Sequence, residues 1–172
     1  LWCASTADAD ADPQTEVVWQ EIRTNLYPTS APTVAQSGFI NGAGTPAPWT
    51  YVPSINVNPG GDAAIVYTQS SATQCPDHTY AMRLSTDAPG TLQAAAVARA
   101  SAGPYDPVGG AARARWGDYA AMVVDPDDGC FWHASEYAAT STPLASLWGT
   151  HVAKFCTATE GACCFGATLC GN

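Results

Sequence analysis

The 172 residues are 47% hydrophobic, enough to bury a core within a single domain. Fifteen Asp and Glu against six Lys and Arg give a formal charge of −9 and a pI near 4.3, a field that repels phosphate backbones and anionic lipid and argues against nucleic acid as a partner. No run approaches the roughly 18 consecutive apolar residues of a membrane span, and the chain opens at Leu1 with neither Met nor a charged leader, as expected of a processed or truncated product.

The predicted elements are all strands. LWCAST (1–6) and EVVWQEIR (16–23), joined by ADADADPQT, come first, and TVAQSGFI (33–40) follows. After the loop GAGTPAPW (42–49) come YVPSINV, the turn NPGGD, AAIVYTQSS and HTYAMRLST, and then TLQAAAVARAS (91–101). The second loop, SAGPYDPVGG (101–110), leads to RWGDY (115–119), AAMVV, the turn DPDDG (125–129), CFWHASEY and SLWGTHVAKF. Each run is short, alternating or rich in β-branched and aromatic residues, and bounded by Gly, Pro, Asp or Asn. The alanine-rich runs hold good helix formers, but none sustains a 3.6-residue apolar period over three turns, so an all-β fold is expected.

The chain repeats. Tyr51–Ser71 aligns with Asp118–Ala138, placing Asn58-Pro59 on Asp125-Pro126 at an offset of 67 residues. With TVAQSGFI read as opening the first copy and TLQAAAVARAS the second, the pattern predicts two four-stranded antiparallel meanders in tandem, preceded by the last two strands of a third. The resulting division is 1–32 for the partial unit, 33–100 for a complete one, 101–156 for the final one and 157–172 for a tail with three cysteines. About two and a half units cannot cover all their own sheet faces. Either further units of the same precursor or another chain would cover them.

The seven cysteines form no zinc-type CxxC pattern. With a single lysine and few charges, they point to disulfides in a secreted, extracellular protein. Cys130 opens a strand and Cys156 closes the next, so antiparallel pairing sets them side by side and predicts a disulfide. Cys163, Cys164 and Cys170 would staple a terminal cap, with Cys75 within its reach, and Cys3 is the choice for a leftover thiol. Asp8, Asp10 and Asp12 share the i, i+2, i+4 spacing that opens a calcium loop, yet Pro13 and Trp19 stand where an EF-type loop needs Gly and Glu. Calcium, there or at the Asp125/Asp127/Asp128 turn, is the one cofactor considered, and a solvated acidic tip is the simpler reading. His78, His133 and His151 have no metal-site spacing.

RWGDY, then DPDDGCFW, then EY resembles the last blade of bacterial secreted β-propeller proteins, distantly related to sialidase-like propellers. The resemblance covers roughly 49–156, with Ala120 and His133 standing where that family often has Ser and Tyr. It implies that the meanders are propeller blades and that the protein is secreted, but it implies little chemistry. Asp127-x-Gly129-x-x-Trp132 has the spacing of the Asp-box turn of such propellers, which makes Trp132, like Trp148, core between blades.

The function expected from this reading is a non-enzymatic extracellular scaffold or binding module, with Trp49 and Tyr105 on the two long loops available to stack on sugar rings or meet a protein. Arg113, Arg115, Asp118, Tyr119, His133 and Glu136 could converge where blade strands end. One alternative is therefore a sialidase-like glycoside hydrolase, which needs three clustered arginines, a Tyr–Glu nucleophile pair and an Asp acid. The other is a structural subunit whose open blade faces build an oligomer or filament.

Overall fold

The computed structural model describes residues 1–8, 14–41, 47–107, 115–140 and 147–157. Among the described residues there is no helix, and hence none long and apolar enough to cross a membrane. Ten strands form three antiparallel sheets. β1 (Trp2–Ala7), β2 (Glu16–Arg23) and β3 (Thr33–Ile40) make the first, in that order. β4 (Trp49–Val57), β5 (Ala63–Ser70), β6 (Asp77–Arg83) and β7 (Ala96–Arg99) make the central one, and β8 (Ala121–Val124), β9 (Phe131–Ala138) and β10 (Trp148–Phe155) the last.

Alternation fixes which face each strand buries. On β2, Val17 and Trp19 point to the central sheet, and β5, sandwiched between both neighbours, is apolar from Ala63 to Tyr67 and buried from Ala63 to Thr68. Two cores result. Val17, Trp19, Ile40, Ile65, Tyr67 and Ala81 fill the space between the first and central sheets, where Trp2 stacks on Trp19 at 5.7 Å between ring centroids. Ala64, Val66, Met122, Phe131 and Phe155 fill the space between the central and last sheets.

The opening strands of the three sheets lie beside one another, β1 against β4 and β4 against β8. Side chains bridge these unpaired backbones: Val52 N donates to Thr6 Oγ1, Met122 N donates to Ser54 Oγ and Asn56 Nδ2 donates to the Met122 carbonyl, at 3.1, 3.0 and 3.2 Å. Pro53 cannot donate to the ladder, and the β4–β5 register shifts between Tyr51 and Ser54 around it. Thr50, wholly buried, accepts from Val17 N and donates to the Ile40 carbonyl, tying the first sheet to β4.

The 67-residue repeat is visible as equivalent hairpins. The β4–β5 turn at Asn58-Pro59-Gly60-Gly61-Asp62 and the β8–β9 turn at Asp125–Gly129 touch, with Asn58 Nδ2 donating to the Gly129 carbonyl at 3.4 Å. Asp125 Oδ1 accepts from Asp127 N and Asp128 Oδ1 from Cys130 N, and Gly129 sits at φ 71°, as expected for this turn chemistry. A Cβ on Gly129 would meet nothing within 4 Å. The cost of Gly129→Ala is therefore backbone strain alone, about 1–2 kcal/mol, which urea unfolding would register as a lower midpoint at unchanged slope.

Three strand-level expectations are corrected. TVAQSGFI does not open the central sheet; as β3 it pairs with β2, Val17 opposite Ile40. Ala96–Arg99 of TLQAAAVARAS likewise closes the central sheet against β6 rather than opening the last. The cause is general: a tandem repeat fixes a period but not where each unit begins, and consecutive strands joined by a short connection pair with each other. Trp132 and Trp148, expected in the core, lie on the outer face of the last sheet, 40% and 55% exposed, because among the described residues no sheet covers that face.

The predicted disulfide is present. Phe131 and Phe155 pair across the β9–β10 ladder, and Cys130 and Cys156 beyond them are bonded with their Cα atoms 4.4 Å apart. Cys3, exposed on β1, and Cys75 are free thiols. Cys163, Cys164 and Cys170 lie outside the described residues.

Candidate functional site

RWGDY crosses one end of the central and last sheets. The Trp116 indole donates to Thr68 Oγ1 at 3.3 Å, and Gly117 N donates to Glu136 Oε2 at 2.8 Å, pinning the segment to β5 and to β9. Opposite it, the loop after β7 is fixed by Ser101. Its N–H donates to Asp77 Oδ1, its hydroxyl donates to the Pro76 carbonyl, and the same hydroxyl accepts from Ala138 N. Tyr105, carried by that loop, meets Trp116 edge to face at 5.0 Å.

Between them runs a cleft of about 480 Å³ lined by Tyr51, Tyr105, Trp116, Pro76, Pro104 and the Ser70–Cys75 turn. The turn is rigid, since Ser71 Oγ accepts from Thr73 N and Gln74 N. Tyr51 Oη lies 3.0 Å from Ser70 Oγ, Gln69 Nε2 donates to Gln74 Oε1, and Gln74 Nε2 donates to Asp77 Oδ2. Among the described residues, no charged side chain lines the cleft. Aromatic faces with a rim of hydroxyls and carboxamides suit a neutral ligand that has both C–H faces and hydroxyl groups. A second cleft, between the outer strands of the first and central sheets, is lined mainly by apolar residues such as Trp19, Ile40, Leu92 and Val97.

The sequence-predicted residues divide. Tyr105 is in the cleft, while Trp49 is half-buried at the start of β4, paired with Ser70 and two residues from the lining residue Tyr51. Arg115 binds Asp118 at 2.8 Å in solvent, Glu136 holds the Gly117 amide, and Tyr119 projects into solvent. His133 is buried elsewhere. The arginines are engaged in separate places: Arg83 lies over the Trp2 ring, Arg99 over the Tyr137 ring, and Arg115 pairs with Asp118. Arg113 lies outside the described residues. Asp8 is exposed beyond β1, and Asp10 and Asp12 also lie outside the described residues, as does the Gly42–Pro46 part of the first long loop.

The Asp125/Asp128 turn already has its cation. Lys154 Nζ reaches Asp125 Oδ2 at 2.6 Å and Asp128 Oδ2 at 2.7 Å and lies over the Trp132 ring, whose indole also donates to Asp125. These hydrogen bonds, Lys154's first, hold the Asp125 carboxyl down to about 2 and lower Asp128.

Spacing gave no sign that all three histidines meet. His78 (β6), His133 (β9) and His151 (β10) converge between the central and last sheets, behind the cleft. His78 stands opposite Thr68, the residue that receives the Trp116 indole. Its Nε2 lies 2.9 Å from His133 Nδ1, and the His78 and His151 Nδ1 atoms are buried without a hydrogen-bond partner. Burial, and then the neighbouring imidazoles, push His78 down to about 3 and His133 to about 4; burial, and then Arg99, lower His151. Among the described residues, no three His, Cys, Asp or Glu side chains are placed to hold a metal ion. Three strands from two sheets contribute the three rings, so only the sheet pairing could have revealed the cluster.

Compared with protein-family models, curated proteins and solved structures, the chain matches none.

Proposed function

We propose that this chain is a run of blades from a secreted β-propeller and acts as a non-enzymatic extracellular binding module for carbohydrate, with the cleft between Tyr105 and Trp116 as its ligand site. The aromatic-walled cleft, uncharged among the described residues, carries this reading. Stacking on Tyr51, Tyr105 or Trp116 would supply the apolar part of sugar binding, and Ser70, Ser71, Thr73 and Gln74 the hydrogen bonds. The three face-to-face sheets with neighbouring opening strands support the propeller assignment, as does the RWGDY…DPDDGCFW…EY resemblance. The Cys130–Cys156 bond supports an oxidising compartment.

Further blades, from the same precursor or another chain, would cover the two outer faces. The last sheet displays Val123, Trp132, Trp148 and Val152, and the first displays Val34 and Phe39. Scattered exposed apolar residues need no partner, but a row of them on one sheet face does. The separate engagement of Arg83, Arg99 and Arg115 disfavours the hydrolase alternative, because a carboxylate clamp needs its arginines together.

The test is a glycan array at pH 7.4 followed by affinity electrophoresis in gels containing the polysaccharides that score. Tyr105→Ala, truncating a loop side chain, is expected to weaken retention about tenfold, one stacked ring contributing on the order of 1–1.5 kcal/mol, while the lost Tyr105–Trp116 contact lowers the melting temperature by only a few degrees. An array with no neutral glycan bound would end the carbohydrate reading, and hydrolysis of a bound glycan would restore the enzyme.

A further inference from the structure

We propose that the His78–His133–His151 cluster is an acid-operated latch: protonation of these rings loosens the last sheet from the central one and, through Thr68 and Trp116, opens the cleft. Release of a bound glycan at low pH rests on the binding reading above, but the latch itself does not.

The geometry places the only three histidines of the chain in one sheet-to-sheet contact, packed against Tyr80 and Phe155. A proton shared between His78 Nε2 and His133 Nδ1 satisfies both facing nitrogens as long as one ring of the pair stays neutral. Once both rings are protonated, two donors stand face to face and two positive charges share one buried contact. Among the described residues, the groups around the cluster offer no compensation. Arg99 on β7, paired opposite His78, adds a positive charge, and Tyr80 on β6 and Tyr137 on β9 are the nearby phenols. Asp77, next to His78, is taken by Ser101 N and Gln74, Glu136 by Gly117 N, and Lys154 by Asp125 and Asp128.

The direction follows from linkage. Folding lowers the affinity of these rings for protons, so the open state binds protons more readily. Their contribution is fully present above the ordinary histidine value of about 6.5 and is lost as pH falls toward about 4 and 3 for His133 and His78. The Lys154-paired carboxylates lose their contribution only below about 4, the ordinary Asp value. The interval from about pH 6.5 to 4.5 therefore belongs to the histidines.

Amide hydrogen exchange of the wild-type chain at pH 7.0 and 4.8, corrected for intrinsic rates, tests this. Peptides covering β6, β9, β10 and the Trp116–Gly117 segment are expected to exchange at least tenfold faster at pH 4.8, while β1–β3 stay unchanged. In His78→Phe/His133→Phe, which removes the two buried rings in favour of ones that suit the surrounding aromatics, the acid effect should shrink below threefold. Equal protection at both pH values overturns the latch, as does the same tenfold loss in the double variant. Should that variant not fold, the imidazole ring resonances of the wild-type chain decide: three titrations near pH 6.5 in the folded protein overturn the latch, and depressed ones support it. Absence of any glycan retention would overturn the binding reading alone.

Discussion

Truncating Phe131 to alanine is expected to destabilise the chain by about 3–5 kcal/mol and to lower its melting temperature by on the order of 10 °C. The ring is wholly buried between the central and last sheets, stacked on Phe155 at 5.7 Å and in the same core as Ala64, Val66 and Met122. These residues come from four strands on two sheets, so collapse around the void would have to shift both sheets, which places the cost toward the upper end of the range. Trp132, the next residue, is the control. It points to the other face, where its indole donates to Asp125 and Lys154 lies over its ring, all at the protein surface. Trp132→Ala is expected to cost about 1 kcal/mol in this chain, since exposed cation–π contacts and surface hydrogen bonds are worth little more. Urea unfolding of the two variants measures the contrast. Equal losses would mean that Trp132 is covered in solution, by another blade or another copy.

That contrast also marks what the sequence could and could not reveal. AAIVYTQ is apolar at successive positions because β5 is central in the central sheet and flanked by a sheet on either side, and such a run reads as a buried strand without further context. Asn58-Pro59 and Asp125-Pro126 announced two hairpins because Pro, Asp and Gly act locally, through φ and through side-chain bonds to nearby amides. The Cys130–Cys156 pairing followed from one ladder for the same reason. What was misplaced depends on relations between distant elements. The repeat period could not say whether Thr33–Ile40 belongs with the strand before or after it. Alternation placed Trp132 on one face of its sheet, but whether that face is covered depends on what packs there. At the candidate cleft, Tyr105 was legible as an aromatic on a Gly/Pro-rich loop. Its partner Trp116 was hidden inside a motif read for its charges, and the histidine cluster left no local trace at all.

Removing the disulfide with Cys130→Ala/Cys156→Ala is expected to cost about 3 kcal/mol. The bridge spans 26 residues of sequence, and closing a loop of that size takes roughly this much entropy from the unfolded chain. The loss should fall on one end of the last sheet. Cys130 adjoins the turn, where Asp125 N donates to the Cys130 carbonyl at 2.7 Å, and the bridge sits one residue beyond the Phe131–Phe155 pair that closes the ladder. Lys154, gripping Asp125 and Asp128 from β10, holds that end a second time. The turn should therefore stay formed at pH 7 while β10 frays from its Phe155 end, a loss of protection confined to 152–156 in hydrogen exchange. Dithiothreitol should lower the wild-type melting temperature by the same amount as the double substitution and leave the variant unmoved. A wild-type midpoint indifferent to reductant would show that the bridge is not formed in solution. The argument for an oxidising compartment would then lose its structural support.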